Sequence, residues 1–508
     1  MITVATNIPK KREMMMKPLS PWGVYLFFGI ASFIYIYPLI MANYLYWDDT
    51  YHALTGTAGW QGEGRVLSTY LYHFLSFSTG IPNLFPLSLI LAVLCICSAM
   101  KMLTIHYYGQ PTITQCLVVL PLWYTPFFLQ ALSYQFDCLT ITLSISLAVF
   151  AVTINHRVLI YRIIISGLIL AASLSFYQIS INVFIGLVCI EVMRNIGSSR
   201  LLKMILTHMA QAFTGLLFYF ISSYQLITNH RGGFSLDSVP LIGERLLLVF
   251  SKIELFFNPV TGGLFFLIAI LSLIGFVYNS RKILLSSQAS WLKVFSGIMY
   301  TSSLVILVFS FAGILLFMRE MDVTLPGDIS SRLLLGVSVF VVAIFYFTHE
   351  VLFRVYLKST YLLALPLLSF LTFSYSYGNV MQERKDAQEY ITQSIFRDII
   401  TIPEIYLASS IRILPPYEEN STRSHISTYT TILKSSAKQL FPALNYIMGL
   451  KDVVLLPESL VRLGINKATW NEGTPDKIKQ NSVSPIVDRF FYKIYLINNV
   501  VYINFKNT

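Results

Sequence analysis

The sequence predicts a polytopic α-helical membrane protein with about eleven transmembrane helices and a small mixed α/β C-terminal domain. Three observations carry that reading. The chain has 508 residues, of which 55% are hydrophobic and only 12% charged, where soluble domains carry roughly 25% charged residues. Its apolar residues gather into runs of membrane-spanning length. Near residue 378 the composition changes, and the last 130 residues hold fifteen Lys/Arg and twelve Asp/Glu without an 18-residue apolar run.

The candidate spans lie near 22–42, 84–104, 113–131, 137–154, 159–176, 180–194, 204–227, 258–279, 294–318, 332–350 and 355–377. The fifth and sixth are the weakest. They meet at SLSFYQISIN, where one of them has the character of a re-entrant segment. Orientation follows from charge. With residues 1–21 in the cytoplasm, the segments on that side of the membrane part hold fifteen Lys/Arg, and the opposite side holds six: Arg65, Arg231, Arg245, Lys252, Arg319 and Arg332. Eleven spans then place residues 378–508 on the same outer side as the first long loop, 43–83. The basic start (Lys10, Lys11, Arg12, Lys17) followed by a long apolar run, with no A-x-A-like site, reads as an uncleaved signal anchor. The domain plan is therefore a cytoplasmic segment 1–21, a transmembrane domain 22–377 and an outer domain 378–508.

Within the outer domain, GNVMQERKDAQEYITQSIFRDII reads as an amphipathic helix leaving the last span. DVVLLPESLVRL and NVVYINF read as strands or a strand–turn–helix unit, and EENSTRSHISTYTT as a loop. In the second outer segment, GERLLLVFSKIELFF has helical spacing suited to an interface. The net charge of +11 sits largely in short loops between apolar runs, which points to topology and anionic lipid rather than nucleic acid. The five cysteines (95, 97, 116, 138, 189) lie in or near apolar runs. None has metal-ligand spacing, and none follows residue 189 to staple the polar tail.

The chemistry concentrates after the first span, in WDDTYHALTGTAGWQGEGR. Asp48 and Asp49 are adjacent carboxylates a few residues beyond an uncharged run. Placed at a membrane surface, such a pair can serve as a general base or share a divalent cation; a hydrated loop start or helix cap is the plain alternative. Four glycines in Gly56–Arg65 permit tight turns. No strand precedes them, so this is not a dinucleotide fingerprint. Arg65 opens VLSTYLYHFLSF, an interfacial-helix pattern, and can either hold a lipid phosphate or snorkel. Arg231, Arg245, Arg319 and Arg332 are the other outer arginines, with Arg332 the best placed because it begins a span after an acidic loop. Asp137 reads as a helix N-cap. His52 and His73 read as polar neighbours rather than metal ligands, and Glu63 joins them in the loop. Trp47, Trp60, Tyr134 and Tyr177 are candidates to stack on sugar rings.

This layout resembles the GT-C glycosyltransferases, which take sugars from polyprenyl-phosphate donors. YLYWDDTYHALTGTAGWQGEGRVLSTYL is similar to the first-loop pattern of the Gtr-type serotype-converting O-antigen glucosyltransferases of bacteria and their temperate phages. GNVMQERKDAQEYITQSIFRDI resembles the helix after their last span, and NVVYINFK their C-terminal strand. The resemblance implies a GT-C-like fold and transfer of glucose from undecaprenyl phosphate glucose to an O-antigen (lipopolysaccharide) sugar hydroxyl, with inversion, on the periplasmic face of the bacterial inner membrane. It implies Asp48 or Asp49 as the base, and Arg65, Arg231, Arg319 and Arg332 as partners of the leaving phosphate. Trp47, His52, Trp60 and Glu63 would then contact sugar. No nucleotide or other cofactor is expected, and the second carboxylate leaves a divalent cation open. The alternatives are an O-antigen polymerase or ligase, disfavoured because the largest outer region is C-terminal, and a lipid-linked-sugar transporter, disfavoured because the charges gather at the surface and no repeat is visible.

Overall fold

The computed structural model describes residues 17–46, 48–228, 236–286, 289–317, 330–414, 439–448, 457–471, 475, 478 and 482–506. The chain divides into two compact units, one within 1–37 and 57–375, the other within 38–56 and 376–508. In chain order the helices are α1 (Pro21–Ala42), α2 (Asp49–Thr55), α3 (Val66–Ser76), α4 (Leu87–Tyr108), α5 (Ile113–Val119), α6 (Pro126–Ser133), α7 (Cys138–Thr153), α8 (Leu159–Phe176) and α9 (Ser180–Arg194). They continue with α10 (Leu201–Ser222), α11 (Ile242–Glu254), α12 (Pro259–Leu285), α13 (Ser290–Phe309), α14 (Gly336–Val355), α15 (Ala364–Thr401), α16 (Pro403–Tyr406), α17 (Phe441–Met448) and α18 (Pro457–Val461).

Among the described residues, eight helical stretches are long and apolar enough to cross a membrane: Pro21–Ala42, Leu87–Tyr108, Leu159–Phe176, Leu201–Leu226, Thr261–Leu285, Ser290–Phe309, Gly336–Val355 and Leu357–Thr401. A ninth arises if the pair Ile113–Leu122 and Pro126–Ser133, bent by 60°, is one span. On length and composition the expected eleven are thus not all reached. The shortfall lies in α7 and α9, of 16 and 15 residues. Both are buried along nearly their whole length. Hydropathy registers a helix enclosed by other helices much as it registers one facing lipid. The break falls in the third expected span, not at the fifth and sixth. Pro126 has no N–H to donate, so the preceding turn cannot run on into α6. The SLSFYQISIN junction is a short turn between two separate helices, α8 and α9.

The helical unit packs through small residues. A Cβ on Gly167 of α8 would lie 2.6 Å from Thr214 of α10, and one on Gly215 would lie 2.8 Å from Leu170, so these glycines set how near α8 and α10 approach. Some polar side chains inside the bundle find partners within their own helix, and others, such as Ser166 and Ser173, donate to a neighbouring one. Thr142, Ser146 and Thr153 of α7 donate to carbonyls four residues back at 2.7, 2.9 and 2.9 Å. The two segments with interfacial-helix patterns are helical, as α3 and α11. In α3, Tyr70 and Phe74 are exposed while Ser68 and Tyr72 are buried.

The second unit is the mixed α/β domain that the sequence predicts. Glu383, Arg384, Lys385 and Asp386 end the apolar first part of α15. Beyond them, Ile391, Ile395 and Ile399 recur every fourth residue and are buried against the sheet. The strands are β1 (Ser410–Ile413), β2 (Ala468–Trp470), β3 (Val487–Asp488), β4 (Tyr492–Ile497) and β5 (Val500–Phe505), in spatial order β2-β1-β5-β4-β3. β1 pairs in parallel with β2 and β5, and β4 pairs antiparallel with β3 and β5. Asn498 and Asn499 turn the β4–β5 hairpin at φ +51° and +60°, a conformation asparagine tolerates better than most residues. NVVYINF is β5, as expected, and PESLV is α18, the helix of the strand–turn–helix alternative. EENSTRSHISTYTT and residues 452–456 lie outside the described residues.

Candidate active site

The adjacent aspartates occupy opposite environments. Asp48 is exposed at the start of α2, and its carbonyl accepts the His52 N–H at 2.9 Å. Asp49 is fully buried. Its Oδ2 accepts the Tyr46 N–H at 3.0 Å, while its own N–H donates to the Tyr46 carbonyl at 3.0 Å. The carboxylate of the first helical residue thus reaches back three residues, to an amide that precedes the helix. Tyr46 is itself buried, and its hydroxyl donates to the Met448 carbonyl at 2.7 Å. The Asp-Asp loop therefore packs within the same unit as the C-terminal domain, and through Tyr46 it is tied to α17. His52 is half-buried on α2 with its ring 5.9 Å from that of Tyr51.

In the helical unit, Arg65 is buried at the meeting of several helix ends. Its Nη2 donates to Asp137 Oδ1 at 2.6 Å and to Thr140 Oγ1 at 3.1 Å, and its Nε donates to the Phe176 carbonyl at 3.0 Å. Nη1 lies 3.8 Å from Glu63. The guanidinium also faces the rings of Tyr177 and Trp60, at 5.2 and 5.6 Å. Asp137 stands at the N-cap position of α7, as expected, but its carboxylate turns to Arg65 instead of capping the helix. Trp60, at 2% exposure, belongs to a core cluster with Tyr72, Ile81 and Phe136, so its ring is packed inside the protein instead of offered to a sugar. Glu63 is half-buried, and its carbonyl accepts from Gln178 Nε2 at 2.7 Å. Gly64 holds φ +74°, and a Cβ there would lie 2.8 Å from both Ile227 and the Tyr219 hydroxyl. The close approach that this glycine permits is to the chain itself.

Arg332 lies just before α14, with its guanidinium 4.3 Å from the centre of the Tyr134 ring. Gln130, a buried amide of α6, organises the approach. Its Oε1 accepts from Ser330 Oγ at 2.5 Å, Ser331 Oγ at 2.9 Å and Arg332 N at 3.0 Å. Gln130 is hard to single out in the sequence. The signal was one amide within the apolar stretch PFFLQALS. Arg332 lies on Tyr134, three residues before Asp137, the partner of Arg65, so both guanidiniums meet the short connection between α6 and α7. The opposite helix ends carry a separate cluster, in which Arg194 Nη1 meets Glu191 Oε1 at 2.6 Å and His106 Nε2 lies 3.1 Å from the same oxygen.

Trp47, Arg231 and Arg319 lie outside the described residues. Among the described residues, no group of three or more His, Cys, Asp or Glu side chains is arranged to hold a metal ion.

Long apolar helices, a mixed-sheet unit and buried charge clusters at the helix ends define a multi-pass membrane protein. Residues 37–323, more than half of the chain, match the glucosyl transferase GtrII family, and the chain belongs to that family. The match takes in Asp48, Asp49 and Arg65 and stops short of Arg332. An uncharacterised 55.3 kDa protein of Salmonella phage P22, from the region 5′ of gtrB, is 29% identical over 200 residues, which is 39% of this chain and 41% of that protein. The chain thus aligns with about two fifths of that relative's length. No solved structure matches.

Proposed function

We propose that the protein transfers glucose from undecaprenyl phosphate glucose to a hydroxyl of an O-antigen sugar, with inversion, at the periplasmic face of a bacterial inner membrane. The acceptor oxygen attacks the anomeric carbon as its proton passes to a base. The bond from that carbon to the phosphate oxygen breaks, and its electron pair leaves with the polyprenyl phosphate. Family membership supports glucosyl transfer. The observation that carries the assignment of the base is the division within the aspartate pair. Asp48 has an exposed carboxylate, whereas Asp49 is turned inward to hold the loop. Asp48 is therefore the base and Asp49 its anchor. Among the arginines, Arg65 is committed to Asp137, Thr140 and the Phe176 carbonyl. We assign it to holding helix ends together, and Arg332 to the donor phosphate, whose existing charge a cation holds already in the bound donor.

The test is transfer of labelled glucose in membranes at matched expression. Asp48→Asn should lower transfer by roughly 10²-fold or more with insertion intact, the range expected for loss of a general base. Asp49→Asn keeps an oxygen for the Tyr46 N–H and should retain most activity, whereas Asp49→Leu should lose both activity and thermal stability. Normal transfer by Asp48→Asn removes this mechanism. Transfer that persists in EDTA is expected, since the proposed step uses Asp48 alone.

A further inference from the structure

Gln130 is, we infer, a positioning residue for the donor phosphate, acting through Arg332; this rests on the assignment of Arg332 made above. Three donors converge on one amide oxygen within 3.0 Å: the Ser330 hydroxyl, the Ser331 hydroxyl and the Arg332 backbone N–H. Ser330 and the first two residues of the short 3-10 turn that follows it are thus fixed to a single atom of α6. Gln130 and Ser331 are both buried, so the array is shielded from competing water and each bond holds its geometry.

The array controls where the arginine side chain starts. A guanidinium on a long flexible stem carries considerable rotamer entropy, which is lost when it engages an anion. Here the backbone of Arg332 is fixed by Gln130 and its guanidinium lies on the Tyr134 ring, so much of that ordering precedes binding. Tyr134 follows Gln130 by four residues, at the C-terminal end of α6. Residues 130, 134 and 330–332 therefore form one unit: the amide sets the backbone, the ring sets the cation. The chemistry suited to such a held cation is a phosphate monoester or diester, whose oxygens accept from a planar fork of donors. Binding that depends on preorganisation should appear in affinity for the phosphate more than in the chemical step.

The experiment uses the full-length protein in lipid nanodiscs. Donor KM and kcat are measured at saturating acceptor, with the inhibition constant of farnesyl phosphate as a phosphate probe that cannot donate sugar. Gln130→Met keeps the volume and removes the acceptor oxygen. Arg332→Gln removes the cation. Both should raise donor KM and the farnesyl phosphate inhibition constant by roughly tenfold, with kcat changed much less. If Gln130→Met fails to insert, Ser331→Ala, which removes one of the three donors, is read in the same way and should give a smaller rise in both constants. A variant at Gln130 or Ser331 that lowers the melting temperature and kcat but leaves both phosphate constants unchanged, while Arg332→Gln raises them, would mean the array is only structural and overturn the inference. Unchanged constants in Arg332→Gln would instead overturn the phosphate assignment itself, and the inference with it.

Discussion

Asp48 and Asp49 are neighbours in sequence and share a residue type, yet one faces solvent and the other is enclosed. Composition and spacing could bring attention to the pair but could not divide it. The division depends on Tyr46, whose amide Asp49 satisfies, and on where the C-terminal domain lies against that tyrosine. Arg65 shows the same limit. Its position before an apolar helix fitted both phosphate binding and snorkelling, and its partner Asp137 is 72 residues away. The buried pair makes a clear expectation. Arg65→Met would strand the Asp137 carboxylate and should destabilise the helical unit by about 3–5 kcal/mol. The double variant Arg65→Met/Asp137→Leu should recover much of the loss, as read from thermal unfolding in detergent. A single variant that melts like wild type would show that the pair carries no such weight. Gly64→Ala should also destabilise, by roughly 1–3 kcal/mol, because it adds both an unfavourable φ and a clash with Ile227 and Tyr219.

At the scale of elements, α15 was legible because its second half states its role twice, in four successive charges and then in isoleucines at 391, 395 and 399. β5 was legible from its β-branched run. β1 was not, since four residues, SIRI, paired in parallel on both sides, leave too short a pattern to read. The end of α15 is fastened to the sheet by Asp398, past the apolar stretch of the helix. It accepts from Arg489 Nη2 at 2.7 Å, Arg489 Nε at 3.1 Å and Tyr492 Oη at 2.6 Å. Burial pushes its carboxyl up, but the hydrogen bonds from Arg489 and Tyr492 outweigh that and hold it below its ordinary value. The carboxyl therefore releases its proton more readily folded than unfolded. Its contribution is complete above about pH 4, near the unfolded carboxylate value, and fades as pH falls through the lower folded value. Wild type should melt above Asp398→Asn at pH 7 and at pH 5, and the gap should close toward pH 3. A gap that stays constant across that range would rule out this linkage.

For the molecule as a whole, the sequence announced many membrane helices and a polar C-terminal domain, and the structure has both. Their count was harder to read, because α7 and α9 are apolar for the sake of the protein interior and lack the length of a span. Least legible was that the first loop is shared out: residues 38–56 belong with the C-terminal domain and residues from 57 onward with the helices. Nothing in local pattern marks Gly56 as a boundary between folding units. A chain stopped before residue 439 should therefore still insert its helices but fail to transfer glucose, and its Asp48 loop should be readily cut by protease. Retained transfer in that shortened chain would show that the loop is organised without α17.

The tether of Tyr46 to Met448 joins groups 402 residues apart in sequence. Ribosomes deliver a chain in order, so the loop that carries the proposed base emerges well before the carbonyl that secures it. Contacts so distant in sequence close late. A chain made only as far as α15 would thus carry that loop without its tether, and the proposed transfer would have to wait until α17 has been made and folded.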